Sequence, residues 1–282
     1  MSEDLVLGVR IVSIDHQMCR PMDHLDFCLS PYSGNALWKV PVIRIFGILK
    51  GSESANIKCC LHIHRVFPYF FVRFHPTKRT LYQSMTADEV NLYLASFGQQ
   101  IESIMASLNG DGLGPNGING QQRRKEIFYN LSIVFYRDFY GYHHSKEPFI
   151  KITGINPFDI GRIAQIVRSG VINDCVYEPF ECHIPFLLHF LKDHNLYGMN
   201  FVYFKTPCFR QPVPSNLSIP IHLRSSKVVQ RDSICALEMD IVDDHILNSQ
   251  WIRSVDINSA DADLGRHRLV PSLREIWNGE KL

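Results

Sequence analysis

The stretches VPVIRIFG, Val40 to Gly47, and CCLHIHRVFPYFFVRF, Cys59 to Phe74, decide how this chain is built. The first continues to Leu49, is rich in β-branched residues and closes on Lys50-Gly51-Ser52, so it reads as a strand entering a turn. From Ile57 to His64, apolar Leu61 and Ile63 alternate with His62 and His64, the period of a half-buried strand. Together they predict a hairpin. Pro68 has no N–H for a ladder, so Tyr69 to Phe74 reads as a separate strand, and one sheet hands over to another near Phe67-Pro68.

Towards the amino terminus, Leu5 to Ile14 reads as a third strand of a small, partly open barrel or sheet, and the polar, proline-containing stretch Asp15 to Trp38 reads as a loop. Towards the carboxy terminus, Thr86-Ala87-Asp88-Glu89 has the form of a capping box, in which hydroxyl and carboxylate satisfy each other's free backbone donors. Val90, Leu94, Phe97, Ile101, Ile104 and Leu108 then mark one apolar face of a long helix ending at Asn109-Gly110. Asp111 to Lys125 is rich in Gly and Asn and reads as a surface loop. Ile127–Tyr136 and Pro148–Gly154 read as strands flanking Gly141-Tyr142-His143. Asn156-Pro157 opens a helix carried by Ile160, Ile163 and Val167 to Gly170, and Asn173–Tyr177 is expected as a short last strand. From Tyr69 onward the order is strand, helix, strand, strand, helix, strand, a ferredoxin-like arrangement shared with RNA-recognition modules. Beyond it, Glu181–His194 reads as a helix with Pro185 in its first turn, Met199–Phe204 as a strand, Thr206–Val229 as an extended excursion and Ser233–Ile241 as strand-like.

With 282 residues, 45% of them hydrophobic, the chain can bury one large core or two small ones. A net charge of +1 argues against a stand-alone strong DNA binder, so any basic footprint must be local. Cys19, Cys28, Cys59, Cys60, Cys175, Cys182, Cys208 and Cys235 are scattered without a CxxC pair, and MSEDLVLGVRI carries acids where a signal peptide has a basic region. Reduced thiols in a soluble nuclear or cytosolic protein are expected. No apolar run reaches the about 20 residues needed to span a bilayer. The final SLREIWNGEKL stops without packing logic, which reads as a fragment or truncated product.

Several of these segments carry a resemblance. VPVIRIFG at 40–47, CLHIHRVFPYFFV at 60–72, FYGYH at 139–143, FIKI at 149–152, YEPFECHIPFLLHFLKDHNLYGMNFV at 177–202, CALEMDIVDDHILN at 235–248 and LREIW at 273–277 resemble the amino-terminal domain of the DNA polymerase zeta catalytic subunits, family B polymerases of translesion synthesis. The Gly-rich loop near residue 110 and the stretch after Asn216 match least. GYH before an F-[IL]-K-I strand is also similar to replicative family B polymerases such as delta, while CALEMDIVDDHILN and LREIW favour zeta.

The resemblance implies an α+β domain with an OB-like portion (strands within 5–64) joined to a ferredoxin-like portion (69–177). Helix 181–194 and strand 199–204 complete residues 1–205, and 206–282 would be an extended, partly irregular tail. It implies a non-catalytic scaffold for DNA damage bypass and repair in the nucleus, partnered by a DNA primer-template and by other domains and accessory subunits of the polymerase, with no membrane. No cofactor is expected in this chain; Mg²⁺ and an iron–sulfur cluster would belong to other parts of the enzyme. The alternative is a stand-alone or truncated nucleic-acid-binding or protein-interaction module.

Read residue by residue, no catalytic group stands out. Glu238 and Asp240 invite comparison with the Asp-x-Glu pair of a two-metal exonuclease, but the order is reversed, and they read as structural acids. Cys59, Cys60, His62 and His64 have a zinc-like composition, yet no matched second pair accompanies them, so they read as half-exposed strand residues and no metal is expected. His143-His144 reads the same way, and no G-x-S-x-G motif occurs. Arg65, Tyr69, Phe71 and Arg73 alternate as base-stacking and phosphate contacts would, and Lys78, Arg79, Arg123, Arg124 and Lys125 are loop cations that could meet phosphates.

Overall fold

The computed structural model describes residues 6–50, 57–75, 77–78, 80–108, 126–137, 145–210 and 230–248. In chain order its elements are β1 (Val6–Cys19), β2 (Val40–Leu49), β3 (Lys58–His64), β4 (Tyr69–Arg73), α1 (Ala87–Leu108), β5 (Phe128–Tyr136) and β6 (Glu147–Gly154). There follow α2 (Ile160–Arg168), β7 (Pro179–Phe180), α3 (Phe186–Asp193), β8 (Phe201–Lys205), β9 (Cys208–Arg210) and β10 (Leu237–Val242). The chain is α+β, with two sheets inside one compact unit that ends at Asn248.

The first sheet has the order β8-β1-β2-β3-β10-β9. The expected hairpin is present, with Ile43 opposite Ile63 and Ile45 opposite Leu61. β1 runs five residues further than expected, because Asp15 to Cys19 stay paired with Arg44 to Val40 and Asp15 forms a 2.7 Å ion pair with Arg44. Gly47 is required where β1 crosses it: a Cβ there would lie 2.2 Å from the Arg10 carbonyl oxygen.

Three further strands join this sheet from distant sequence. β8 pairs with β1, and β10 inserts parallel to β3, with β9 antiparallel at its outer side. Residues 208–210 and 237–242 therefore belong to the sheet, which differs from the expected boundary at residue 205. Val9, Ile11, Ile43, Ile45, Leu61, Ile63, Met239 and Ile241 line one core, closed by Phe190 of α3 and by Phe204. Each such side chain contributes about 1.5–3 kcal/mol of burial.

β3 ends at His64 in the first sheet, and β4 begins at Tyr69 in the second, so the handover falls at Pro68 as expected. The second sheet has the order β5-β6-β4-β7, all antiparallel, as a split βαβ unit requires. Phe70 and Val72 point to α1 and α2, where Phe97, Ile101, Ile163 and Val167 complete a second core. The capping box forms: the Glu89 N–H donates to Thr86 Oγ1 (3.3 Å), and the Thr86 N–H donates to Glu89 Oε2 (2.7 Å). Met105, rather than Ile104, continues the fully buried stripe of α1, and Leu108 is 69% exposed. Asn156 accepts from the Phe158 N–H ahead of α2.

Two expected elements shift. Asn173 and Asp174 are left-handed (φ 50° and 52°), which breaks extended geometry, so the last strand is Pro179–Phe180 rather than 173–177. Glu181 is also left-handed (φ 63°), and α3 starts only after Pro185. Asp111–Lys125 and the Phe139–His144 segment lie outside the described residues.

Candidate functional site

The parallel pairing of β3 with β10 sets Glu238 opposite Cys60 and Asp240 opposite His62. Odd-numbered residues of both strands fill the first core, so Cys60, His62, His64, Glu238 and Asp240 share the other face. Solvent does not reach that face: His62, His64, Glu238 and Asp240 are each at most 1% exposed. The expectation of half-exposed histidines is thereby corrected. Both faces of β3 are covered, and polar alternation here marks a buried ionic layer.

The layer is internally paired. His62 Nε2 lies 2.9 Å from Glu238 Oε1, and His64 bridges Asp240 (3.1 Å) on one side and Asp26 (3.0 Å) on the other. Arg210 on β9 donates two bonds to Asp240, 2.6 and 2.8 Å. Burial, followed by the charge of Arg210, depresses the His62 pKa. Burial also works against charge on His64, but its bonds to Asp240 and Asp26 outweigh it and raise the pKa. Burial would raise Asp240, yet His64 and Arg210 hold it at about 2. Glu238 thus accepts from His62 and from the Asp232 N–H, and Asp240 from His64 and Arg210. Asp26 and Arg210 are absent from the sequence reading, because nothing local announces a pairing partner 38 or 30 residues away.

On the second sheet, Tyr69, Phe71 and Arg73 share the face opposite α1 and α2. Their partners lie within the chain. Tyr69 stacks on His189 of α3 at 4.6 Å, receives Lys151 over its ring at 4.2 Å and donates its hydroxyl proton to Asp193 (2.8 Å). Phe71, 6% exposed, stacks on Tyr136 at 4.6 Å. Arg73 pairs with Glu147 and lies 5.5 Å over both Phe149 and Phe180. Arg65 lies apart, left-handed (φ 68°) between β3 and β4, with its guanidinium over Phe27 at 4.5 Å and its Nε–H donating to the Leu25 carbonyl at 2.6 Å. Lys78 is exposed, while Arg79, Arg123, Arg124 and Lys125 fall outside the described residues.

Glu181 anchors α3 to this face and went unnoticed in the sequence. It accepts from Tyr136, from His189 (3.2 Å) and from Lys192 (2.9 Å). Burial would raise its pKa, but His189, Tyr136 and Lys192 hold it at about 2. A signal was available: Glu181, His189 and Lys192 are eight and eleven residues apart, on either side of a proline that starts a helix.

Comparison with known proteins changes family model just after β3, where the chain first leaves the first sheet. Residues 6–64 match the family described as DNA polymerase zeta catalytic subunit, N-terminal, and residues 65–161 match the DNA polymerase delta catalytic subunit-like N-terminal domain. The human DNA polymerase zeta catalytic subunit is 30% identical over 304 residues, covering 98% of this chain and 9% of that protein. The Arabidopsis thaliana DNA polymerase zeta catalytic subunit is 29% identical over 332 residues, covering 98% and 16%. The chain thus spans a small part of the curated relatives it matches. Among solved structures, the family B DNA polymerase of the hyperthermophilic archaeon Pyrobaculum calidifontis aligns with 73% of this chain and 18% of that one, at 12% identity and a TM-score of 0.41.

Proposed function

The chain is homologous over nearly its whole length to the amino-terminal region of DNA polymerase zeta catalytic subunits, and on that premise we propose that it serves as the non-catalytic front part of such a family B polymerase. Its work would lie in translesion synthesis, and so in DNA damage bypass and repair in the nucleus. One observation carries the reading: the family match changes between residues 64 and 65, where the chain leaves the first sheet for the second. Sequence kinship and architecture share a seam, as expected of one composite domain.

Nucleotide transfer with Mg²⁺, and any iron–sulfur cluster, would belong to other parts of the enzyme. This chain would act as a scaffold against those domains and accessory subunits, and would touch the DNA primer-template locally. Arg65, Tyr69, Phe71 and Arg73 would meet a strand only by giving up partners they hold within the chain. Phosphate contact is therefore placed first on Lys78, Arg79, Arg123, Arg124 and Lys125.

Fluorescence anisotropy with a labelled single strand tests this assignment. Binding is expected to be weak, with log K against log salt falling at a slope of magnitude about 3.5 or less, since each of five single-strand phosphate contacts contributes about 0.7. Replacing Arg123, Arg124 and Lys125 together by alanine should flatten the slope by about 2. A slope unchanged in that variant would take these cations out of the proposal.

A further inference from the structure

We propose that Cys60, His62 and Glu238 form a binding site for a zinc-type divalent cation that ties β10 to β3. Cys60 Sγ lies 3.5 Å from His62 Nε2, which lies 2.9 Å from Glu238 Oε1, and the three donor atoms all fall within 4.8 Å of one another. All three residues are buried, so no rearrangement of the surface is needed to bring them together. The two strands that supply them are 176 residues apart at His62 and Glu238, which is why spacing alone does not reveal the set.

The donor types decide the class of ion. A thiolate, an imidazole and a carboxylate suit Zn²⁺, whereas Mg²⁺ and Ca²⁺ prefer oxygen throughout. Zinc sits about 2.3 Å from sulfur and about 2.0–2.1 Å from nitrogen, so a tetrahedral angle puts those two atoms about 3.5 Å apart. That separation is already present between Cys60 and His62. The corresponding nitrogen–oxygen separation is about 3.3 Å, so Glu238 has to draw back by a few tenths of an ångström, and the ring proton of His62 shifts to Nδ1 as the ion takes Nε2.

The surroundings supply orientation and charge balance. The Asp232 N–H donates to both Glu238 oxygens (3.0 and 3.2 Å), which fixes the direction of the carboxylate. Arg210 and Arg231 approach the same carboxylate at 3.9 and 3.7 Å, so in the absence of the ion its charge is still balanced. A thiol ligates as the thiolate, so Cys60 gives up its proton when the ion binds.

The test is metal analysis and cobalt substitution on the purified 282-residue chain. The expected result is close to one zinc per chain, with thiolate-to-cobalt charge-transfer and tetrahedral d–d bands on replacement by Co²⁺. Binding should weaken as pH falls, because a ligating thiol gives up its proton. Cys60→Ser should lose the sulfur band, and Cys28→Ser should keep it. A wild-type cobalt complex without a thiolate band, or a melting temperature indifferent to added zinc, would overturn the proposal. So would a folded Cys60→Ser variant that binds as tightly as wild type. Should Cys60→Ser fail to fold, the wild-type cobalt spectrum decides.

Discussion

Replacing Asp240 by alanine is expected to cost the fold about 3–5 kcal/mol, the range for breaking a buried ion pair from one side. Asp240 is 1% exposed and holds both His64 and Arg210. Its removal leaves a guanidinium and an imidazole without a counter-charge in a dry layer. In a protein of this size about 1 kcal/mol moves the melting temperature by about 2–4 °C, so the loss reads as about 6 °C or more in a thermal melt. The pH dependence has a definite sign. Asp240 titrates at about 2 in the fold against an ordinary 3.8, so its contribution is present above the ordinary value and is lost as pH falls through about 4 towards 2. Asp240→Asn should therefore lose stability less steeply than wild type across that window. Parallel acid limbs for the two proteins would show that the charge on Asp240 contributes nothing.

Replacing Glu181 by alanine is expected to cost about 2–3 kcal/mol. Its carboxylate, 4% exposed, collects the Tyr136 hydroxyl, His189 and Lys192, so one substitution loosens α3 on the second sheet and leaves His189 buried without that acceptor. Lys192→Ala, with its amine at the half-exposed rim, should cost less than about 1 kcal/mol. Urea melts of the two variants separate the roles: equal losses would mean that the contact to Lys192, and not the buried cluster around Glu181, holds α3 in place.

The features legible in the sequence are those whose cause is local. The hairpin of β2 and β3 follows from two β-rich runs and a turn, the helix start at Thr86 from a capping box, and the break at Pro68 from a missing N–H. The ferredoxin-like order could be read because each of its elements carries its own period. What escaped depends on partners far along the chain. β10 between β3 and β9 is a long-range parallel insertion, and no pattern within Leu237–Val242 names His62 or Arg210 as its neighbour. His62 and His64 alternate with apolar residues as a solvent face would, and only Asp26, Glu238 and Asp240 make their burial affordable.

The turn at Asn173-Asp174 is a different case. Both residue types tolerate the left-handed region, so the break was written in the sequence and was outweighed by the β-branched residues around it. The aromatic face of β4 shows the limit of composition as a guide to function. Tyr69, Phe71 and Arg73 have the alternation of a base-stacking platform, yet Tyr136, His189 and Glu147 already occupy them.

The central claim is that these 282 residues brace a polymerase without performing its chemistry. Primer extension on a primed template tests it most directly, with the chain alone and with a zeta-type catalytic subunit carrying or lacking this region. The account predicts no incorporation by the chain alone, and a drop in incorporation when the region is removed from the subunit. Template-directed incorporation by the chain alone, or full activity without the region, would contradict it.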